Sequence, residues 1–265
     1  MTEDTPDHIA AGQTAHRARP LEAAGGDRVE VHHKPHPIHG WRGFLKEIGI
    51  VVIGVLIALA AGQSVEWLHW REKAREADTR LLADARTVLN HMLERLDIQS
   101  CQDRRLVLIE DRLLASGSMW NGMTPFYTEG PPAGSTYAHP MRTWPRTAWE
   151  NAVASTAANH LPPDRLADYS KIFDGAQREA NDQATEHEDS SQLNLLGSNL
   201  TLTPDQKIQF LLIIERERAR NRVMAYEAHN SISYFRALGL NVEKERKAAR
   251  EDSLAYEVCR SNGLI

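Results

Sequence analysis

The sequence predicts an all-α protein, in which a single N-terminal transmembrane helix continues into a stalk and an antiparallel bundle of about four helices. First, an apolar run over residues 48–65 carries no charged side chain. Second, residues 67–116 contain neither glycine nor proline, so one helix can continue through them without a break. Third, glycine and proline concentrate before the run and within residues 117–146, whereas helix-forming residues dominate elsewhere.

The predicted transmembrane helix covers residues 41–65. As a helix, residues 48–65 measure about 27 Å, close to the roughly 30 Å of a bilayer's hydrocarbon layer. Aromatic side chains, which prefer the headgroup region, flank the run on both sides: Trp41, Phe44, Trp67 and Trp70. The lipid bilayer is therefore the first expected partner.

Three other interpretations of the run are open. A core helix of a soluble protein is compatible with it, because the run is short for a span. A cleaved signal peptide is compatible with the small-x-small residues 58–60, although the preceding residues 1–40 are longer than an ordinary charged leader. A helix lying in the membrane plane is disfavoured, because the run has no polar face.

Small residues within the run recur at a spacing of four. Gly54, Ala58 and Gly62 therefore share one face of a helix, and such faces let two helix backbones approach closely in lipid. This pattern predicts a homodimer or docking on a partner helix. The alternative is that the pattern reflects the ordinary abundance of glycine and alanine in such helices.

Residues 1–40 predict a disordered tail, because they contain few large apolar side chains and many charged, proline and glycine residues. Four histidines lie close together in this tail: His32, His33, His36 and His39. They could hold a transition metal, but prolines interrupt the segment and no cysteine or carboxylate completes the set. We therefore expect a solvated tail and no metal site.

Residues 32–77, HHKPHPIHGWRGFLKEIGIVVIGVLIALAAGQSVEWLHWREKAREA, also carry a resemblance. An HGW motif, a Lys/Glu pair, the string VVIGVLIAL and a tryptophan-containing exit are similar to the N-terminal anchor of an uncharacterised group of alphaproteobacterial membrane proteins. The resemblance implies a single-span inner-membrane protein with a helical domain after the span. It implies no activity and covers none of the later residues.

The remaining residues, 66–265, predict the stalk and a periplasmic helical domain. An apolar stripe at three- and four-residue spacing follows the span: Leu81, Leu82, Ala85, Val88, Leu89, Met92, Leu93 and Leu96. Ser116 and Gly117 are expected to end this helix. A helix beginning near Thr147 should end at Pro162, with Asp164 as the N-cap of the next one.

Later boundaries are also marked. Thr203 and Pro204 form a cap and a first helical position, Gly239 ends that helix, and residues 242–259 predict one last helix. Residues 180–192, ANDQATEHEDSSQ, are polar all round and are expected to be exposed.

Residues 117–146 form a long aromatic loop rich in glycine and proline. Its rings argue against full disorder: Trp120, Phe126, Tyr127, Tyr137 and Trp144. Two interpretations are equally open, a loop that covers the core and a recognition loop.

Two cysteines, Cys101 and Cys259, have no Cys-x-x-Cys partner, so zinc binding and thioredoxin-like chemistry are unsupported. In an oxidising compartment they would most simply form one disulfide. Flanking positive charges balance on the two sides of the span, so they do not set its orientation. The cysteine pair, the resemblance and the absence of a cleavable leader favour a cytoplasmic N-terminus and a periplasmic domain.

No nucleophile elbow, phosphate-binding glycine loop or zinc-protease motif is present in the sequence. His187, Glu188 and Asp189 are consecutive and point in different directions on a helix. Glu150, His160 and Asp164 could gather at one turn, but nothing in the pattern requires it. We expect no catalytic residue, cofactor or metal, and the net charge of −5 argues against nucleic acid as a partner.

The sequence thus predicts a non-catalytic, membrane-anchored interaction or scaffolding protein with an unknown protein partner. The alternative is a ligand-sensing domain that signals through a partner, and a membrane-anchored hydrolase is a distant third. The aromatic loop discriminates between the first two. A loop that closes a pocket with convergent polar groups favours sensing, and a flat exposed loop favours a protein interface.

Overall fold

The computed structural model describes residues 40–128 and 134–265. The tail that was predicted to be disordered, with its four histidines, lies outside these residues. The chain divides into two compact units, Met1–Ile57 and Ala58–Ile265. The described part of the first unit is the beginning of a helix, and the second unit contains the rest of that helix and all later elements.

In chain order the described elements are α1 (Gly40–Ala115), β1 (Met119–Trp120), α2 (Thr147–Ala154), α3 (Pro163–Leu193), β2 (Leu200–Thr201), α4 (Pro204–Ala237), α5 (Val242–Glu251) and α6 (Leu254–Ser261). Short 3-10 turns at Ala157–His160 and Asn194–Gly197 follow α2 and α3. The two strands are two residues each and pair antiparallel, with Met119 opposite Thr201. The predicted all-α class is confirmed.

Helix α1 is the one helix among the described residues that is long and apolar enough to cross a membrane. None of its most apolar window is buried inside the structure. A core helix would bury such a window, so the structure gives no support to the alternative of a soluble core helix.

Ion pairs give the helix directions within the second unit. Asp78 and Arg95 of α1 pair with Arg165 and Glu186 of α3, so the two helices run in the same direction. Helix α4 runs antiparallel to both, because its later residues contact earlier parts of α1 and α3. Because α1 and α3 are parallel, residues 116–146 must return along most of the bundle, and this crossover is the aromatic loop.

Local capping explains several of the helix ends, because side chains cap the starts of α4, α5 and α6. Thr203 accepts a hydrogen bond from the Gln206 backbone N–H at 3.2 Å, and the Gln206 side chain accepts one from the Thr203 N–H at 2.9 Å. Gly239 follows α4 with φ of +88°, a left-handed conformation that favours glycine. The expected start of α4 and its end at Gly239 are therefore confirmed.

Three expected boundaries are wrong. The helix that begins at Thr147 ends at Ala154 and not at Pro162, and a separate 3-10 turn, Ala157–His160, follows it. Asp164 is not the cap of α3, because Pro162 precedes the helix and Pro163 is its first residue. The single last helix is two helices, α5 and α6. Asp252 follows the first, and Ser253 caps the second, with its hydroxyl accepting a hydrogen bond from the Tyr256 backbone N–H at 3.0 Å.

Three apolar clusters hold the second unit together. The largest packs α1 against α3, α4 and α5 around Leu89, Phe173 and Phe235. A second packs the far end of α1 against α4 around Ile109 and Ile214. The third lies under α6, where Cys101 and Cys259 form a disulfide. The predicted pair is thus bonded in the structure and links α6 to α1.

Candidate functional site

The aromatic residues of the crossover loop face inward. All five rings are buried: Trp120, Phe126, Tyr127, Tyr137 and Trp144. The Trp120 indole N–H donates to the Leu196 carbonyl at 2.8 Å, and the Trp144 indole N–H donates to the Gln183 side chain at 3.2 Å. These rings therefore cover the core, which is the first of the two interpretations of the loop.

The same loop borders a half-open cavity of about 370 Å³. The loop forms one wall, and α3 and α6 form the others. The cavity lining combines apolar and polar side chains: Tyr127, Ser135, Ala138, His139, Pro140, Met141, Arg142, His187, Ser190, Ser191, Asn194, Leu254 and Ala255. A volume of this size lies within the range that small-molecule sites occupy.

One polar edge of the cavity rests on a buried ion pair. Two nitrogens of the Arg95 guanidinium donate to the Glu186 carboxylate at 2.7 and 2.5 Å, and both side chains are almost completely buried. His139 Nδ1 lies 3.0 Å from the same carboxylate. Burial opposes the charged form, but Arg95 and His139 outweigh it and lower the pKa of Glu186 to about 2. The carboxylate is therefore ionised, with the His139 ring beside it at the cavity wall.

A second ion pair positions Arg142. Its guanidinium donates to both oxygens of Glu94 at 2.6 Å, and Glu94 also accepts a hydrogen bond from Ser253. The backbone of Arg142 is bonded twice to the Gln183 side chain, at 2.9 and 2.8 Å. This loop residue is thus held by α1, α3 and the start of α6 together, and the cavity wall is preorganised.

The remaining polar groups on α3 and on the turn that follows it still have hydrogen-bonding capacity. Ser190 and Ser191 both donate to the His187 carbonyl, so their oxygens can accept. The Asn194 side-chain oxygen accepts from the Tyr137 N–H at 3.0 Å, which leaves its amide hydrogens for other partners. The cavity can therefore orient a small molecule through both donors and acceptors.

The polar stretch of α3 was expected to be exposed, and that expectation is wrong. Gln183, Glu186, Asp189 and Ser190 are all buried. They repeat at three- and four-residue spacing, in line with Glu179 before them. They continue the apolar face of Tyr169, Ile172, Phe173 and Ala176 as a polar stripe. The burial of this face is marked in the sequence by polar residues that recur with the helical period. A search for apolar periodicity does not detect that pattern.

Two further carboxyl groups are buried away from the cavity lining. Burial raises the pKa of Glu179 to about 8, and neither of its carboxyl oxygens has a hydrogen-bond partner among the described residues. Burial and the nearby Glu186 raise the pKa of Glu217 to about 9, although Arg220 donates to it. These groups belong to the bundle interior.

The other predicted residues lie apart from the cavity. Trp41, Phe44 and Trp67 are exposed on α1, as are Gly54, Ala58 and Gly62. His160 stacks on Trp70 with ring centroids 4.4 Å apart. Within residues 40–128 and 134–265, no hydrogen bond or ion pair joins His160 to Glu150 or Asp164, and no cluster of His, Cys, Asp and Glu is arranged for a metal ion.

Comparison with known proteins adds no functional information. No family model, no curated protein and no solved structure matches the chain. The architecture is an all-α one with one long apolar helix in the part of the chain that the structure describes, and its function has to be argued from the cavity.

Proposed function

We propose that this chain is a membrane-anchored, non-catalytic protein whose helical domain binds a small ligand and signals through a partner protein. The single observation that carries the proposal is the half-open cavity beside the aromatic loop, in which polar groups from the loop and from α3 converge. A flat exposed loop would have favoured the scaffolding function that the sequence first suggested.

The ligand's chemistry follows from the cavity lining. Met141, Leu254 and the Tyr127 ring offer apolar contact, while Arg142 and Asn194 offer donors. A small molecule with an apolar body and a carboxylate or carbonyl group matches both parts. Many of the polar side chains are already engaged in fixed hydrogen bonds, which supports binding rather than chemistry.

Residues 41–65 serve, in this proposal, as the transmembrane helix of a bacterial inner-membrane protein. The exposed apolar window of α1 and its flanking tryptophans support this placement. The Cys101–Cys259 disulfide supports a periplasmic location for the domain, because disulfides persist in oxidising compartments. The N-terminus would then lie in the cytoplasm.

The cavity can be tested by filling it. Ser191→Phe places a ring at the lining, and Gln192→Phe places the same ring on the neighbouring exposed position. A panel of short aliphatic and aromatic carboxylates should contain members that raise the Tm of the full-length protein in detergent. Such ligands should stabilise by about 2.7 kcal/mol at one hundred times their Kd.

Stabilisation should persist in Gln192→Phe and disappear in Ser191→Phe. If the whole panel leaves the wild-type Tm unchanged, or if Ser191→Phe responds like the wild type, the cavity is not the binding site.

Thiol labelling tests the location of the domain. The protein would be taken from intact cells and unfolded before it is treated with a mass-shifting maleimide. Cys101 and Cys259 should react with the maleimide only if the protein is first reduced. If both react without reductant, and a membrane-impermeant reagent does not reach them in intact cells, the domain faces the cytoplasm. That result would contradict the periplasmic placement.

Self-association through α1 is a second candidate function. A Cβ added at Gly54 or at Gly62 would meet no atom within 4 Å, so each glycine leaves open space beside the helix. Gly62→Ile should abolish a homodimer in a membrane two-hybrid assay if small residues form its interface. Ala60→Ile adds the same side chain on the opposite face of the helix and is the control, and equal signals from the two variants would exclude this interface.

A further inference from the structure

A second cleft lies beside α1, immediately after the apolar run. It measures about 410 Å³ and is lined by Trp67, Trp70, Arg71, Ala74, Arg75, Asp78, His160, Leu161, Pro162 and Arg165. One wall is α1, and the other is the turn that leads into α3. We propose that this cleft binds the phosphate of an anionic phospholipid headgroup. The inference rests on the proposed membrane span.

The lower part of the cleft, from Trp67 to Arg71, lies at the height of the headgroup layer, and Arg75 lies further out, about 15 Å beyond Val65 along the helix axis. Val65 is the last residue of the uncharged run, and Trp67 and Arg71 follow it by about 3 and 9 Å along the helix axis. The headgroup region of each leaflet is about 5–7 Å thick beyond the hydrocarbon layer. Trp67 and Trp70 therefore lie at the depth of the phosphates, and Arg71 lies just above them.

Some arginines of the cleft pair with a carboxylate, and others are available to bind an anion. Arg165 donates two hydrogen bonds to one oxygen of Asp78, at 3.0 and 2.8 Å, so these two residues neutralise each other. Arg71 has no carboxylate partner among the described residues, and its guanidinium lies 5.3 Å from the centre of the Trp67 ring. Arg75 has only a 3.5 Å contact with exposed Glu72. Exposed pairs of this kind contribute little, so both arginines are free to bind an anion.

The aromatic groups give the cleft a fixed shape. His160 stacks on Trp70 at 4.4 Å with only 12° between the ring planes, which joins the turn before α3 to α1. The rings offer an apolar wall for the glycerol and upper acyl carbons of a lipid. The planar guanidinium groups of Arg71 and Arg75 match the geometry of a phosphate.

Lipid retention tests this site. Full-length protein would be reconstituted in nanodiscs of phosphatidylcholine with a minority of phosphatidylglycerol, and the lipids retained on the released protein counted by native mass spectrometry. The cleft variant is Arg71→Gln/Arg75→Gln. The matched control is Arg80→Gln/Arg86→Gln, which removes two arginines of the same helix that pair with Glu76 and Glu245 outside the cleft.

The wild type and the control should retain phosphatidylglycerol over phosphatidylcholine by about tenfold, equivalent to 1.4 kcal/mol. The cleft variant should lose most of this preference while keeping its Tm in phosphatidylcholine alone. Equal preference in the two variants, or displacement of the lipid by millimolar inorganic phosphate, would overturn the inference.

The proposed span fails in a different way. Protein that alkaline carbonate extracts from cell membranes is not integral to them, and the whole placement of α1 is then wrong. Protein that resists extraction but shows no lipid preference contradicts the headgroup site alone.

Discussion

Two carboxyl groups on α3 are buried two turns apart, and their environments are opposite. Glu186 receives two hydrogen bonds from Arg95 and lies against His139, and its pKa is lowered to about 2. Glu179 has no hydrogen-bond partner among the described residues, and its pKa is raised to about 8. The desolvation cost acts on both and Arg95 opposes it in both, but only Glu186 receives hydrogen bonds from Arg95, whereas nearby carboxylates raise the pKa of Glu179 further. The first group can therefore shape the cavity wall, whereas the second is kept neutral in the interior.

The largest effect on stability is expected from removing Arg95, the cation that pairs with Glu186. Arg95→Met leaves Glu186 as a buried charge beside His139 and should lower the free energy of unfolding by about 3–5 kcal/mol. Chemical denaturation of the full-length protein in detergent measures the loss. The double variant Arg95→Met/Glu186→Met removes the unpaired charge together with its partner, and it should recover most of that stability. A double variant no more stable than Arg95→Met would show that the ion pair does not govern this region.

The same region shows how far sequence alone predicts the molecule. The apolar stripe of α1, the Thr203 cap and Gly239 predicted helices correctly because each signal is local. The course of the chain between α1 and α3 was not predictable, because nothing local states that these helices run parallel and that a loop must cross between them. The cavity depends on that crossover.

Residue chemistry was misinterpreted where pairing is distant in sequence. Glu186 is stabilised by Arg95, which lies 91 residues away, so its own neighbours made it look solvent-exposed. His139 and Arg142 were not predicted as site residues, because they lie in the aromatic loop and their carboxylate partners are far away in sequence, on α3 and α1. Polar side chains become interpretable as core residues only once the helices that carry their partners are placed.

The raised pKa of Glu179 predicts that the stability of the protein depends on pH. The ordinary pKa of a glutamate is 4.5, and the folded state raises that of Glu179 to about 8. Its contribution to stability is therefore full below pH 4.5 and is lost as the pH rises through about 8. Glu186, with its lowered pKa, has the opposite dependence, and its contribution is lost as the pH falls from 4.5 towards 2.

Glu179→Gln isolates the first of these dependences. The variant keeps a neutral side chain of the same size and should be more stable than the wild type by about 1–3 kcal/mol at pH 9, with little difference at pH 5. Denaturation curves across this pH range provide the measurement. Glu217, whose pKa is also raised, keeps its own dependence in both proteins. If the stabilities of wild type and variant stay parallel across the range, Glu179 is not the titrating group.

The smallest effect on stability is expected at an exposed residue of α3 that lies next to the buried polar stripe. Glu188 lies between buried Glu186 and Asp189, yet its own side chain is exposed. Because water already solvates this carboxylate, Glu188→Gln should change the free energy of unfolding by less than about 0.5 kcal/mol. Glu186→Gln removes one charge from the same helix but leaves Arg95 buried without its anion, so it should cost several times more. Equal losses in the two variants, measured by denaturation at pH 7, would mean that burial does not distinguish these neighbours.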